Sequence, residues 1–190
     1  MEQFLKKSSL NYHNVIVRQD DLFVDFKSVT SLVGERWIDN FVINFFLHKF
    51  IAVDSEQQKV KTIASLPSEA FHWIENKQSN VESMLRANVD NAHHIQFLLL
   101  PIHMSGCHWG LACIDFVNFV LWFDDGMGWD PPANLSSVVK SIVKTLGSIY
   151  LDAGHFDFEN WNENTLRPKR FGMPQQQTMS NEGSGAVELV

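Results

Sequence analysis

Three apolar runs of strand length stand almost back to back between Ile95 and Asp125, and they constrain the fold more than any other stretch. Residues 95–102, Ile-Gln-Phe-Leu-Leu-Leu-Pro-Ile, form one continuous run. Residues 108–116 and 119–125 form two more. The segment between the last two is too short for a crossover, so they pair as an antiparallel hairpin turning at Val117-Asn118. That turn sets Gly110 opposite Asp125 and His108 opposite the neighbourhood of Met127. Side chains alternate faces along a strand. His108 and Asp125 therefore share a face, a diagonal step apart, and Asp124 points the other way.

Helical periodicity surrounds this run. Residues 14–17 read as a short strand and residues 37–52 as a helix. That helix is apolar nearly all round, with Phe41, Ile43, Phe45, Leu47, Phe50 and Ile51, which predicts deep burial. Residues 68–77 and 79–88 read as short helices. Pro131-Pro132 break the chain, and Asn134 or Ser136 can then cap a helix over 136–150. From Asn160 to Gly183 the chain is polar and rich in turn residues, which predicts loop. Within it, Arg167-Pro168-Lys169-Arg170 reads as a solvated basic loop. Residues 184–190 open another helix. Helices, a strand run, then a helix give an α+β class with no regular βαβ alternation and no internal repeat.

Composition limits the function classes. The chain has 190 residues, one domain's worth, and 45% of them are hydrophobic, enough for a real core. Fifteen Phe and 6 Trp against 2 Tyr point to a packed interior, an exposed apolar groove, or both. A net charge of -7 without a long basic run argues against a nucleic-acid binder. Cys107 and Cys113 make neither a disulfide framework nor a zinc set. No apolar run reaches transmembrane length, and the first residues lack the apolar centre of a secretory signal, so a soluble protein of a reducing compartment is expected.

Acid–base chemistry has one clear candidate. A carboxylate beside an imidazole on one hairpin is the arrangement that orients a general base. Taken alone, His108 and Asp125 are better explained as a half-buried strand-start His with an Asp in the next turn, since such pairs are common. Cys113 lies mid-strand and reads as core, and adjacent Cys107 points away from His108. Ser184, in Glu182-Gly183-Ser184-Gly185, sits in a small-residue turn that reads as opening a helix, a setting that favours an anion, although a serine in a glycine turn is also the commonest kind of loop residue.

The segment His108-Trp109-Gly110-Leu111-Ala112-Cys113-Ile114-Asp115, running through Phe123-Asp124-Asp125-Gly126-Met127-Gly128, closely resembles the His–Asp hairpin of the Ulp1/SENP-type ubiquitin-like-protein proteases. Three blocks agree in order: Trp37-Ile38-Asp39-Asn40 with Ile43-Asn44, Leu99-Leu100-Pro101-Ile102, and Pro174-Gln175-Gln176-Gln177 followed by Gly183-Ser184-Gly185. The resemblance covers roughly residues 14–187. It implies a papain-like cysteine protease fold, with a central mixed sheet flanked by helices, over residues 14–190 behind a short extension, 1–13. It implies His108 as general base, Asp125 as its orienter, and Ser184 at the nucleophile position. Gln177, or Gln176, would supply the oxyanion hole. Trp37 and Trp109 would wall the tunnel for the Gly-Gly tail of a ubiquitin-like modifier, with Asp39 beside it. Neither metal nor cofactor is implied. The implied partner is such a modifier or its conjugates, met by a monomer in the nucleus or cytoplasm; secretion as an effector is equally compatible.

The departures from the family pattern bear on activity. Ser184 stands where the family has Cys, and Gly183 where it has Asp. A thiol paired with His ionises near neutral pH and a serine hydroxyl does not, so the site should be slow or dead. The oxyanion Gln of the family falls six residues before the nucleophile, which here is Thr178. Six residues follow Ser184, so the nucleophile helix is expected to be incomplete. Three readings follow: an impaired cysteine-type peptidase, a pseudoprotease that binds a modifier without cutting it, or a damaged gene product.

Overall fold

The structure is a computed structural model that describes residues 15–19, 22–32, 38–77, 80–90, 92–106 and 108–171. Its centre is a four-stranded mixed sheet in the order β3 (Ile63–Ser65), β4 (Phe97–Met104), β5 (His108–Asp115), β6 (Val120–Asp124). β3 runs parallel to β4, and β4–β5 and β5–β6 are antiparallel. The central mixed sheet with helices around it is as expected, with β3 an addition. Three residues carry too little pattern to be read as a strand; β3 exists because Ile63, Ala64 and Ser65 pair with Phe97, Leu98 and Leu99. A separate two-stranded sheet joins β1 (Val15–Gln19) to β2 (Leu22–Asp25). A short helix, α1 (Phe26–Thr30), follows it, N-capped by Asp25 on Ser28 N at 2.7 Å. Neither β2 nor α1 was expected.

The hairpin register is the one expected, with Leu111 opposite Asp124, Ala112 opposite Phe123 and Cys113 opposite Trp122. The turn is wider than the expected two residues, because pairing stops at Asp115–Val120. Asp115 holds that turn: its Oδ1 accepts from Val117 N at 3.0 Å and Asn118 N at 2.9 Å.

One sheet face is closed. Leu98, Leu100, Ile102, Ala112, Ile114, Leu121 and Phe123 alternate along three strands and are all buried. Over them lies α5 (Leu135–Ile149), burying Leu135, Val138, Val139, Ile142, Val143 and Leu146 on one stripe. α3 (Ala70–Glu75) and α4 (Val81–Asn88) complete the layer with Phe71, Ile74 and Leu85. Neither expected cap of α5 forms. Asn134 occupies the N-cap position, but its amide donates to Glu75 Oε1 at 2.7 Å, and Ser136 Oγ donates to Leu166 O at 2.8 Å. Tertiary partners outbid the local ones. Gly110 is required here, because a Cβ on it would lie 2.7 Å from the Phe123 ring.

α2 (Asn40–Gln58) flanks the other side, against β2 and β3, and runs six residues further than expected. The expected deep burial does not hold. Only Val42 and Ile51 of this helix are buried, and Phe46 and Phe50 are 59% and 56% exposed. α2 is held by a polar network instead. Asn44 Oδ1 accepts from Ser68 N at 2.9 Å, and Asn40 and Asn44 both donate to the Glu69 carboxylate. An all-apolar helix surface predicts burial only where a second layer covers it, and here much of that surface lines a groove.

The polar stretch after α5 is not all loop. Lys169 forms a parallel bridge to Trp122, with Phe123 N to Lys169 O at 2.7 Å and Lys169 N to Leu121 O at 2.8 Å. No helix among the described residues is long and apolar enough to cross a membrane.

Candidate functional site

His108 opens β5, and Asp125 follows the last residue of β6. Strand parity brings both to one face, and both are buried. His108 Nε2 lies 3.0 Å from Asp125 Oδ2 and 3.0 Å from Asp125 O. Both partners are acceptors, so Nε2 carries the hydrogen and the neutral ring keeps its lone pair on Nδ1. An imidazole fixed in this tautomer is equipped to take a proton at Nδ1.

Asp125 is itself held from the opposite side. Its Oδ1 accepts from the backbone amides of Met127 at 3.2 Å, Gly128 at 2.9 Å and Trp129 at 3.2 Å. Gly126 and Gly128 adopt positive φ, +70° and +81°, and that geometry folds three successive amides around one oxygen. Burial pushes the Asp125 carboxyl up, but these amides together with His108 outweigh it and hold the carboxyl below its usual range. The group is therefore a stable anion beside the imidazole.

Two residues of this centre were not foreseen from the sequence. The Trp129 ring packs on the His108 ring at 4.9 Å, and its backbone amide reaches Asp125. Arg170 places Nη1 3.5 Å from Asp125 Oδ1 and donates to Gly128 O at 2.9 Å and to Trp129 O. The Gly126-Met127-Gly128 spacing signalled a tight turn after Asp125, and could have pointed to Trp129. Nothing local pointed to Arg170.

Trp109, the neighbour of His108, faces the other side of the sheet. Its indole Nε1 donates to Ile38 O at 2.7 Å, and its ring packs on His103 at 4.6 Å. It stands between two depressions. One, of about 740 Å³, is walled by Phe46 and Phe50 of α2, Pro101 and Leu111 of the sheet, and Gly126. The other, of about 590 Å³, is lined by Asp39, Glu69, Trp73 and His103. Asp39 is the N-cap of α2, its Oδ1 accepting from Val42 N at 3.0 Å, and it sits on the rim of this second depression. Trp37, Gln176, Gln177 and Ser184 lie outside the described residues, as do Cys107 and residues 1–13. Cys113 is core as expected; burial first, then the charge of Asp115, pushes its thiol up to about 12. No group of three His, Cys, Asp or Glu among the described residues is gathered to hold a metal ion.

The backbone carrying these groups is shared with known structures. A Ulp1 protease domain in complex with Smt3, the yeast ortholog of SUMO, superposes with a TM-score of 0.64 at 16% identity, covering 93% of this chain and 74% of that one. This chain shares the fold of Ulp1 protease domains. Ulp1 with its catalytic cysteine oxidised to a sulfenic acid matches at a TM-score of 0.62 and 17% identity, over 86% of this chain and 69% of that one. The Ulp1-like SUMO protease catalytic domain of Chaetomium thermophilum matches at 0.63 and 18%, over 81% and 61%. No family model matches the sequence. The likeness therefore lies in the fold, and the expected α+β class with a central mixed sheet flanked by helices is the observed one.

Proposed function

We propose that this chain is a peptidase scaffold of the Ulp1 class, directed at the Gly-Gly tail of a SUMO-type modifier, and that Ser184 impairs its hydrolysis. The observation that carries the reading is the buried 3.0 Å His108–Asp125 pair on a SUMO-protease backbone. In this reading Nδ1 of His108 takes the proton of the nucleophile as it attacks the carbonyl of the tail's last glycine and gives it to the leaving amine, and water then hydrolyses the acyl-enzyme, again through His108. Asp125 holds the tautomer and stabilises the imidazolium. Gln177 or Gln176 steadies the oxyanion, and Trp37, Asp39 and Trp109 receive the tail. Serine at the nucleophile position needs its proton removed during attack, where a thiol near His⁺ is already ionised, so the rate falls steeply. A monomeric protein of the nucleus or cytoplasm belongs to the same proposal.

The Ser-for-Cys exchange also favours a second reading, a pseudoprotease that keeps the groove and binds a modifier or conjugate without cutting. Purified chain incubated with a SUMO-type precursor is expected to give no measurable cleavage; steady hydrolysis overturns the impairment. Saturable binding of the modifier, lost on Trp109→Ala, is expected under both readings. If the chain neither binds nor cleaves, and Ser184→Cys does neither, the modifier-directed reading falls.

A further inference from the structure

The basic cluster near the C-terminal end, expected to be a solvated loop, does not behave as one at Arg170. We infer that Arg170 is a positioning residue for the His108–Asp125 pair, acting by clamping the turn 126–129 that cradles the carboxylate. The inference rests on the reading of His108 as the base.

The geometry is two-sided. Gly128 and Trp129 turn their amides inward onto Asp125 Oδ1. The carbonyls of the same two residues turn outward and are both taken by one nitrogen of Arg170, Nη2. Nη1 of the same planar guanidinium faces Asp125 Oδ1 at 3.5 Å. The turn is thus gripped from the carboxylate side and from the guanidinium side. Both glycines that shape it adopt positive φ, which glycine reaches without strain but does not prefer, so the backbone alone does not lock the turn and the ties on either side select its conformation.

Arg170 is in turn fixed by its neighbours. Lys169 is bonded through its backbone to Leu121 and Phe123, along the free edge of β6. Phe171 stacks on Trp122 at 5.6 Å with ring planes 16° apart. With the backbone anchored on both sides, Arg170 gives up only side-chain entropy in making its contacts, unlike an arginine on a free loop. Arg170 is 41% exposed at its side chain, so the cation itself is screened; the bridge from Nη2 to two carbonyls is the part water does not replace with the same geometry. The consequence for the site is directional. Releasing the turn loosens Asp125, and Asp125 sets which nitrogen of His108 carries the hydrogen.

The test reads the tautomer rather than turnover. Nitrogen-15 NMR of His108 in the intact chain should show the Nε2–H form dominating the neutral ring. Arg170→Gln should raise the Nδ1–H fraction and speed exchange of the Gly128 and Trp129 amides about tenfold or more, as expected for losing a charged hydrogen bond. Amides of Cys113 and Trp122, which face each other in the β5–β6 ladder, should keep their protection, which separates a local release from global unfolding. Arg170→Lys keeps the charge but ends one atom short of Nη2 and lacks the second nitrogen that faces Asp125, so it should recover less than half of the lost protection. If Arg170→Gln leaves both the tautomer and the two amides unchanged, the inference is wrong. Full rescue by lysine overturns the clamp as well, because charge alone would then suffice. Should Arg170→Gln fail to fold, Arg170→Lys read on the same two amides decides the matter: protection at the wild-type level refutes the clamp, and faster exchange supports it. A chain that neither binds nor cleaves a modifier, yet shows the expected tautomer shift, sinks the proposed function and leaves the positioning role standing.

Discussion

The two faces of the central sheet are built from similar amounts of apolar side chain, yet one is sealed and the other is partly open. On the sealed face, six residues of α5 interlock with alternate residues of β4, β5 and β6. On the other, α2 keeps only Val42 and Ile51 buried and turns Phe46 and Phe50 to a groove beside Trp109. Hydrophobicity along a segment therefore does not decide its burial; the presence of a second layer does. The sealed face fixes where β5 and β6 end, and so fixes His108 against Asp125. The open face leaves room beside them for something else to enter.

Substitutions that remove packing should separate the faces most sharply. Ile142→Ala, in the centre of the sealed face, is expected to cost about 2–5 kcal/mol in urea unfolding. A loss below that range would show the α5 layer to be as loose as α2. Gly110→Ala comes next. Its methyl meets the Phe123 ring at a distance no real contact shows, so the ring must shift, at about 1–3 kcal/mol. An unchanged midpoint in denaturant would mean that the Phe123 side has slack.

The pair itself gives a pH signature. The Asp125 carboxyl is held below its unfolded range, so its contribution to stability is fully present above the unfolded value of about 3.9 and is lost as pH falls towards the folded one. Thermal unfolding followed from pH 6 downward should therefore drop more steeply in the native chain than in Asp125→Asn. Parallel curves would remove the amide cradle from the account.

Cys113 tests how far the open face extends. It lies on the same strand as Trp109 and on the same side, yet it is buried and its thiol is pushed up to about 12. Iodoacetamide at pH 8 should leave it unmodified in native buffer and label it in urea. Native labelling would show the groove running the length of β5. The smallest effect is expected at Phe46→Ser, within about 0.5 kcal/mol of wild type, because most of that ring already meets solvent. A large loss there would mean that the groove is filled in solution.

The His108–Asp125 pair was legible in the chain because its determinants are local. Alternation in two adjacent runs set the β5–β6 register, and parity then selected Asp125 over Asp124. The cradle around Asp125 was less legible: glycines at 126 and 128 announce a turn, but not that three amides converge on one oxygen. Trp129 and Arg170 were missed altogether. Arg170 comes from a stretch whose composition reads as loop, and it matters only because Lys169 and Phe171 dock on the free edge of β6.

The sequence by itself determined the hairpin, its register, the shared face of His108 and Asp125, and the stripe that buries α5. All of these follow from periodicities of two and 3.6 residues acting on neighbours in the chain. Only the tertiary structure decided that β3 joins β4, that α2 presents its phenylalanines to a groove, that Asn134 and Ser136 leave the helix end for distant partners, and that Arg170 reaches Asp125. Each of these is a choice between partners far apart in sequence, settled by which surfaces the sheet and helices bring together, and no local pattern encodes it.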